Sequence, residues 1–571
     1  MKRLTPRITM YVTSLLISAQ SVLAADIPTE AFPDNVTAVI RLGNPQQSVQ
    51  KAVNFVSKID PQFAPVVQLG VAGLGVAISN PAQTGVDAKG DWWFAVFAHA
   101  DREPSLVFAI PAADADAMKQ AIQGNFQFIS YENWLLYTED EQTAARIKKR
   151  LGGEGRAIHD AVDERVKQLF GNSDCAVYIN LQQLSSEYRD EIDRAHEQLK
   201  NGIEEMQNFA PPVEGVDLSG TFQMYAQMAS GLFQALDDSQ SCSLALSFGD
   251  DSVSIEELFL VKAGTATDKL LAQHKPSQLS NITKLEPDQL MYAGFRGNYG
   301  QLMSLTSKFY TSMIPDKAKA DKLVAAMQDM SQLQVGDYSM SFGLGDLKGG
   351  AVRSAVVADI QPTDKARTLG RKLIKVMGEM SIGGVQQQYD LKTEAETVSG
   401  HAVDILRVKQ QVNEQLDPLG IQNQIMTVLY GNEMTTRTVY LDGKSVQTIG
   451  GGTTALENTL KSLSAPQSSS NSPAQATRDQ LLKQANIMML IDLPGFAVDV
   501  MRLVVESGQV PIPLNQQSLD KLNLKRSYSG FSMSTVKQGV RVKTTVPILQ
   551  IQGVVKIGQL VRQLMGGQPD F

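Results

Sequence analysis

The sequence lacks the short motifs that mark common active sites. It contains no GxSxG, HExxH or GxxxxGK[ST] pattern, which excludes the usual signatures of α/β-hydrolases, zinc proteases and P-loop nucleotide-binding proteins. Its five histidines are scattered, and none has a second histidine or a cysteine three or four residues away to help hold zinc. We therefore assign no catalytic, cofactor-binding or metal-binding residue, and we expect no cofactor.

Positive charge and long apolar runs are also scarce. The chain has 52 lysines and arginines against 60 acids, a net charge of −8, which argues against a nucleic-acid partner. The apolar run at 66–78 is about 13 residues long, short of the ~20 needed to span a bilayer, and is predicted to be a buried helix. No transmembrane span is expected in the mature chain.

Cysteine is rare, with only Cys175 and Cys242 present. An even pair in an exported chain favours one disulfide. Closing the loop between the two cysteines would stabilise the folded state by about 4 kcal/mol. Two buried thiols in strands explain the same pair equally well, because free cysteine packs as a small apolar residue. Both interpretations stay open.

The N-terminus has the pattern of an export signal. The basic MKRLTPR is followed by an apolar stretch that ends in the small-residue pattern Val22-Leu23-Ala24. Four polar residues dilute this stretch too much for a membrane anchor. We predict a signal peptide at 1–24 and a soluble mature protein in the periplasm or outside the cell.

The mature chain begins with a stretch that recurs. PDNVTAVIRLGN at 33–44 and PDQLMYAGFRGN at 287–298 share their first and last two residues and their spacing. Each opens a series whose apolar periodicity switches between 2 and 3.6 in the order β-α-α-β-β-α, and the same order starts again near 174 and 487. We predict an α+β protein of four β-α-α-β-β-α units in two tandem halves, with antiparallel-rich sheets and helices packed on one face.

The predicted boundaries follow from these four units. The first half covers 25–278 and the second half 285–571. Within them the units are placed at 25–155, 160–278, 285–464 and 478–571, and Ser-rich 465–477 is predicted to be a flexible linker. A chain of such units resembles uncharacterised exported bacterial proteins of unknown function whose units start with Pro-Asp and a strand such as NVTAVIRL. That resemblance implies no activity, cofactor or site.

Polar residues at the ends of strands are interpreted as helix-capping residues. Asn44 and Asn298 close the two matching stretches, where asparagine suits a helix N-cap better than a ligand contact. Thr138 with Glu141, and Thr454 with Glu457, fit the capping box at the start of a helix.

Several other features have a structural interpretation beside a functional one. Gly450-Gly451-Gly452 favours a tight turn over an anion site, and tryptophans 92, 93 and 134 favour the core over a sugar or peptide site. Methionine pairs at 327/330 and 377/380 favour helix packing over copper(I).

Three function classes remain. The preferred hypothesis is a non-catalytic exported protein that binds an unknown protein partner or serves in an envelope assembly. Helices 185–209 and 218–236 are predicted to pack antiparallel, and contact of their apolar stripes with a partner is the alternative to that packing. The alternatives are a carrier of an apolar ligand such as lipid, with a cavity lined by helices such as 66–78, and an exported hydrolase with clustered polar residues in one half.

Overall fold

The computed structural model describes residues 28–564 except 210–218, 302, 305, 308–313, 315, 383–384, 413–419, 466–471 and 509–513. The signal peptide predicted at 1–24 lies outside the described residues. The chain divides into two compact units, which we call the small lobe, 28–52 with 65–187, and the large lobe, 53–64 with 188–564.

Six strands form an antiparallel sheet in the described part of the small lobe. They are β1 Ala38–Leu42, β2 Trp92–Phe97, β3 Ser105–Pro111, β4 Gln127–Tyr131, β5 Trp134–Thr138 and β6 Cys175–Ile179. Their spatial order is β4-β5-β3-β2-β1-β6. Trp92, Trp93 and Trp134 are buried, as predicted for core aromatics.

Helices follow and separate these strands. They are α1 Pro45–Ile59, α2 Ala64–Ala77, α3 Ala115–Ala121, α4 Glu141–Leu151, α5 Ile158–Ala161, α6 Glu164–Gly171 and α7 Leu181–Glu187, with 3₁₀ turns at Pro28–Glu30 and Pro61–Phe63.

Thirteen strands form an antiparallel sheet in the described part of the large lobe. They are β7 Ser239–Phe248, β8 Ser252–Val261, β9 Met291–Phe295, β10 Gln334–Leu344, β11 Val352–Gln361, β12 Glu379–Ile382, β13 Val385–Val398, β14 His401–Val412, β15 Met434–Leu441, β16 Lys444–Ile449, β17 Ile487–Ile491, β18 Ser529–Val536 and β19 Gly539–Pro547. Their order is β12-β13-β14-β15-β16-β11-β10-β9-β17-β18-β19-β8-β7.

Helices in the described part of the large lobe include α8 Arg189–Phe209, α9 Ser219–Asp238, α10 Ala266–Leu271, α11 Lys317–Ser331, α12 Thr363–Met377, α13 Ile421–Tyr430, α14 Gly452–Ser464, α15 Pro473–Asp479, α16 Leu493–Ser507, α17 Gln516–Asp520 and α18 Ile548–Leu564. A 3₁₀ turn covers Ile282–Lys284. Helix α15 occupies the end of the linker predicted at 465–477. The α+β class with antiparallel sheets is therefore confirmed.

The strand pairings run in the same order in the two lobes. In the small lobe β1 lies between β2 and β6, and in the large lobe β9 lies between β10 and β17. Beyond them β2-β3-β5-β4 matches β10-β11-β16-β15. The recurring stretches 33–44 and 287–298 thus contain equivalent strands. The duplication, the count of four units and the boundaries at 278 and 285 stay predictions.

The polar residue after each of four strands caps the next helical turn. Asn44, Asn180, Asn298 and Asp492 follow β1, β6, β9 and β17, and each side-chain oxygen accepts the amide hydrogen three residues ahead, at 3.0 to 3.2 Å. The capping role predicted for Asn44 and Asn298 is confirmed, and Asn180 and Asp492 share it.

The two predicted capping boxes are wrong. Helix α4 has Asp140 as its N-cap, and the Thr138 hydroxyl instead accepts the Asp140 amide hydrogen from the last position of β5. Helix α14 has Gly451 as its N-cap with no capping side chain, so Thr454 lies inside the helix. A better acceptor two residues nearer the helix decides the first case, and a left-handed glycine decides the second.

Candidate functional site

Two long helices of the large lobe form an antiparallel hairpin. The guanidinium Nη1 of Arg189, at the start of α8, lies 2.7 Å from the Asp237 carboxylate at the end of α9. Two turns further along α8 and one turn back along α9, the rings of His196 and Phe233 stack with centroids 4.2 Å apart. The antiparallel packing predicted for these helices is therefore present, although the predicted first helix is divided into α7 and α8.

Polar contacts hold the base of this hairpin. The Lys262 ammonium donates to the Asp237 carbonyl at 2.7 Å, and Asp238 accepts hydrogen bonds from Thr267 at 2.9 and 2.7 Å. Desolvation acts to raise the pKa of Asp238, but the bonds from Thr267 and Gln234 outweigh it and hold the pKa below its usual value. The hairpin is thus anchored where α9 passes into β7.

The composition of α9 is unusual for an exposed helix. No charged residue occurs from 219 to 236, and the sequence there is rich in alanine, leucine, methionine and glutamine, which favour helix formation. A helix on a protein surface normally presents charged or polar residues to water. The apolar residues of α9 therefore need an explanation other than burial in the core.

Large apolar side chains are exposed along both helices. Five of them are between 46% and 70% exposed, and we call this set the hairpin surface: Leu199, Met206, Tyr225, Met228 and Leu232. On α8 the spacing is i, i+7, and on α9 it is i, i+3, i+7, so each subset forms one stripe.

The two stripes lie on one face of the hairpin. At 100° per residue, the α8 stripe lies about a quarter-turn from His196, and the α9 stripe lies about a quarter-turn from Phe233 in the same sense. Because the helices run antiparallel, equal rotations counted from the N-terminus to the C-terminus of each helix place both stripes on the same side of the hairpin. The hairpin surface is therefore a single apolar face.

Negative charge predominates on the two helices that carry this face. Helix α8 carries six acids and three bases, a net charge of −3, and α9 adds Asp237 and Asp238. Two of the three bases are neutralised within the hairpin, because Arg189 pairs with Asp193 and Asp237, and Arg194 pairs with Glu191. The electrostatic character of the hairpin is consequently acidic.

A polar cluster in the small lobe contains serine, histidine and aspartate. Ser105 Oγ lies 3.0 Å from His99 Nε2 and donates to Asp140 Oδ2 at 2.7 Å. Arg102 reaches both Asp140 oxygens at 3.1 and 3.2 Å, and Thr143 Oγ1 donates to Oδ2 at 2.6 Å. Both Ser105 and His99 are buried.

Hydrogen-bond accounting argues against a nucleophilic serine in this cluster. The single hydroxyl proton of Ser105 is directed to Asp140 rather than to a histidine base. Desolvation would raise the pKa of Asp140, but bonds from Thr143, Ser105, Arg102 and the Gln142 amide hold that pKa well below its usual value. Such a carboxylate is a poor proton acceptor, so the cluster positions the start of α4 instead of activating Ser105.

Two cavities are described, one in each lobe. The cavity in the large lobe has a volume of about 160 Å³ and is bordered by Leu285, Tyr292 and Tyr528. The hydroxyls of the two tyrosines donate to backbone carbonyls at 2.9 and 2.7 Å. The other, of about 310 Å³, lies beside His99 and Arg102 in the small lobe. Neither is lined by the apolar run 66–78 that was expected to border a ligand cavity.

The apolar run 66–78 also differs from the buried helix predicted for it. Val76 is 65% exposed, and a Cβ added at Gly70 or Gly73 would meet open space. Of the three glycines in the run, Gly75 is closely packed, against the carbonyl oxygens of Asn80 and Pro81, and Ile78 at the same end is buried. The run lies in a helix with one packed end, which periodicity alone could not reveal.

The two cysteines are free thiols in the structure, Cys175 in β6 and Cys242 in β7. Burial raises the pKa of both thiols. The disulfide and the pair of buried thiols both stay open as interpretations of the two cysteines.

The remaining candidate residues have structural roles where the structure describes them. Met327 and Met380 belong to one buried cluster, with Met377 packed against it, and Met330 packs on another. Glycines 450 to 452 all have positive φ in the turn between β16 and α14. The described residues contain no group of three or more metal-ligating side chains.

Comparison with known proteins gives no relative. No protein family matches the sequence, and neither a curated protein nor a solved structure is significantly similar to it. The resemblance to exported bacterial proteins therefore has no relative against which it can be checked. Over the described range, no helix has both the length and the apolar composition to cross a membrane.

Proposed function

We propose that this chain is a non-catalytic binding protein whose hairpin surface docks a cationic, amphipathic segment of a partner protein. The observation that carries this proposal is the single exposed face formed by Leu199, Met206, Tyr225, Met228 and Leu232. Contiguous apolar patches of this kind mark interaction sites in soluble proteins.

The size of the face supports a docking role. At about 200 Å² for each fully exposed large side chain, the exposed fractions amount to roughly 550 Å². This value lies at the upper end of the ~300–600 Å² that is typical of the largest patch on a monomer, which is often functional. One amphipathic helix laid on the face would cover such an area.

The net negative charge of the hairpin favours a cationic partner segment over a second copy of this chain or an anionic lipid surface. The two helices of the hairpin have a net charge of −5, so two copies of this chain would repel each other face to face, and an anionic lipid surface would repel the hairpin as well. A partner segment with lysines or arginines beside its apolar residues would be attracted both to the apolar face and to the net negative charge of the helices that carry it.

A designed peptide pair tests the proposal directly. The probe is a helical peptide of leucine and lysine, about 18 residues long, and the comparison peptide carries glutamate in place of lysine on the same apolar pattern. We expect the lysine peptide to bind at least about tenfold more tightly, with affinity that falls as salt rises. Fluorescence anisotropy measures both affinities.

Matched variants localise the binding. Met228→Gln with Leu232→Gln removes apolar area from the hairpin surface and should weaken lysine-peptide binding by about tenfold or more. Val554→Gln, at a residue 52% exposed on α18, is the control and should leave binding unchanged. Equal binding of the two peptides, or no effect of the double variant, contradicts the proposal, and concentration-dependent dimerisation through the same residues would replace it.

We also propose that the protein is exported to the periplasm or the outside of the cell, where it serves a partner or an envelope assembly. The support is the basic start MKRLTPR and the apolar stretch ending at Ala24. N-terminal sequencing of protein from the source cells should give Ala25 or Asp26 as the first residue. Protein that keeps Met1 would contradict export by this signal.

A further inference from the structure

The cavity of about 310 Å³ in the small lobe has an almost entirely polar wall. The end of β2 and the loop that follows it contribute residues 97–99 and 101–102, and α4 and α7 each contribute two side chains. Eight of the ten wall residues are polar or charged: Asn35, His99, Asp101, Arg102, Gln142, Arg146, Gln183 and Glu187. Its volume suits a small polar molecule, since sites for drug-sized ligands begin near ~300 Å³.

One of the two arginines in this wall is already neutralised. Arg102 contacts both oxygens of Asp140, and Asp140 is fixed by Ser105, Thr143 and the Gln142 amide. Arg102 therefore serves as a fixed part of the wall. Arg146 is different, because its side chain is exposed and has no hydrogen bond or ion pair to the residues that the structure describes.

Acidic groups line the same cavity without neutralising Arg146. Glu187 is held at the loop, since its Oε1 accepts the Ala100 amide hydrogen at 2.8 Å, and Asp101 follows in the same loop. No ion pair joins Arg146 to either acid within the described coordinates of this lobe. Positive and negative groups thus border one space without an ion pair between Arg146 and these two acids in the described coordinates.

The two helices contribute a similar arrangement of polar groups. Gln142 and Arg146 are four residues apart on α4, and Gln183 and Glu187 are four residues apart on α7, so each pair lies on one helix face. Each helix therefore offers an amide and a charge one turn apart, with opposite charges on the two helices.

We propose that this cavity binds a small zwitterion of the α-amino-acid type. The carboxylate of the ligand would pair with Arg146 and accept from Gln142, and its ammonium would lie near Glu187 and Asp101. A zwitterion pairs with both sets of groups at once. A simple anion would be repelled by Glu187 and Asp101, and a simple cation would leave Arg146 unpaired.

Binding of free amino acids to the full mature chain tests this assignment. The twenty L-amino acids are screened one at a time at about 10 mM by saturation-transfer NMR, and the affinity of the best one is measured by calorimetry. The amide and the N-acetyl form of that amino acid each lack one charge. We expect both blocked forms to bind about tenfold or more weakly than the zwitterion.

Variants connect binding to the cavity. Arg146→Gln and Glu187→Gln should each weaken amino-acid binding by about tenfold or more. The control Lys149→Gln removes a charge from an exposed position of α4 outside this wall and should change nothing. Met228→Gln with Leu232→Gln should also leave amino-acid binding intact, so the hairpin proposal and this one can fail separately.

Three results would overturn the assignment. The first is that none of the twenty amino acids binds. The second is that the N-acetyl form binds as tightly as the zwitterion, which would show an anion site. The third is that binding survives both Arg146→Gln and Glu187→Gln, which would place the ligand elsewhere.

Discussion

Replacing Asp140 with alanine removes the centre of a buried polar network in the small lobe. The carboxylate caps α4 through the Gln142 amide and accepts the hydroxyls of Ser105 and Thr143, which are 7% and 0% exposed. Arg102, about one-third exposed, completes the set. The change therefore removes a helix cap and leaves two buried hydroxyls without their acceptor.

The expected loss of stability follows from these contacts. The cap contributes about 1 kcal/mol, and each buried hydroxyl that loses its acceptor costs about 1 kcal/mol. The ion pair with partly exposed Arg102 adds less than about 1 kcal/mol. We expect Asp140→Ala to lower the free energy of unfolding by about 3 kcal/mol, which is a large share of the stability of a small lobe.

The same lobe offers a matched control. Asp114 caps α3 through the Asp116 and Ala117 amides and is exposed, with no side-chain donor recorded on it in the described structure. Asp114→Ala should cost only about 1 kcal/mol. The difference of about 2 kcal/mol between the two variants then measures the network around Asp140 alone.

Tryptophan fluorescence during urea unfolding is the assay. All three tryptophans, Trp92, Trp93 and Trp134, lie in the small lobe, so the signal reports on this lobe. Equal losses for Asp140→Ala and Asp114→Ala, within about 0.5 kcal/mol, would refute the conclusion that the network stabilises the lobe.

The contribution of Asp140 should also depend on pH. Because its pKa is lowered in the folded state, the unfolded chain takes up a proton first as pH falls. The stabilisation is complete above the unfolded pKa near 3.9 and is lost progressively below about pH 4. The difference between the two variants should therefore shrink below about pH 4 and stay constant from about pH 5 to 7.

Three further predictions concern other parts of the chain. Gly450→Ala should destabilise the large lobe by at least about 2 kcal/mol more than Gly452→Ala, because both glycines have positive φ but only a Cβ at Gly450 would overlap the Val352 carbonyl oxygen. Urea unfolding followed by circular dichroism measures both losses, and equal losses would contradict this prediction. Asp404→Ala should lower the free energy of unfolding by about 3 kcal/mol and speed amide hydrogen exchange in β13 and β14, because the buried Asp404 carboxylate accepts from Arg371 at 2.8 and 2.7 Å. The control Glu394→Gln should lower it by less than about 1 kcal/mol. Unchanged exchange in Asp404→Ala would contradict this prediction. Cys175 and Cys242 should react with iodoacetamide more slowly than free cysteine at neutral pH, because burial raises the pKa of both thiols, and a rapid reaction would contradict that burial. The unfolded, unreduced chain is then alkylated and examined by mass spectrometry. If it shows no alkylation at all, the two cysteines form the disulfide instead.

Features that depend on neighbours in sequence could be predicted well. The α+β class followed from the switch in apolar periodicity, and the caps at Asn44 and Asn298 followed from the residue type at a strand end. Each of these depends on atoms within four residues of one another. Burial of the tryptophans followed from their placement in apolar strands.

Predictions failed where two local solutions competed or where a distant contact decided. Thr138 and Asp140 both lie near the start of α4, and only the folded chain showed that Asp140 also gains Ser105 from another strand. The hairpin surface was foreseen only as an open alternative for helix stripes. The missing charges from 219 to 236 are the signal that could have favoured exposure.

By itself the sequence determined the secondary-structure order, the helix caps at strand ends and the recurring strand-to-helix stretch, because hydrogen bonds and periodicity within a segment set all three. Only the tertiary structure decided that β19 lies beside β8, that the stripes of α8 and α9 face outward together, and that Arg146 and Glu187 border one cavity. These arrangements join residues tens to hundreds of positions apart, and the energy of such contacts depends on packing across the whole lobe.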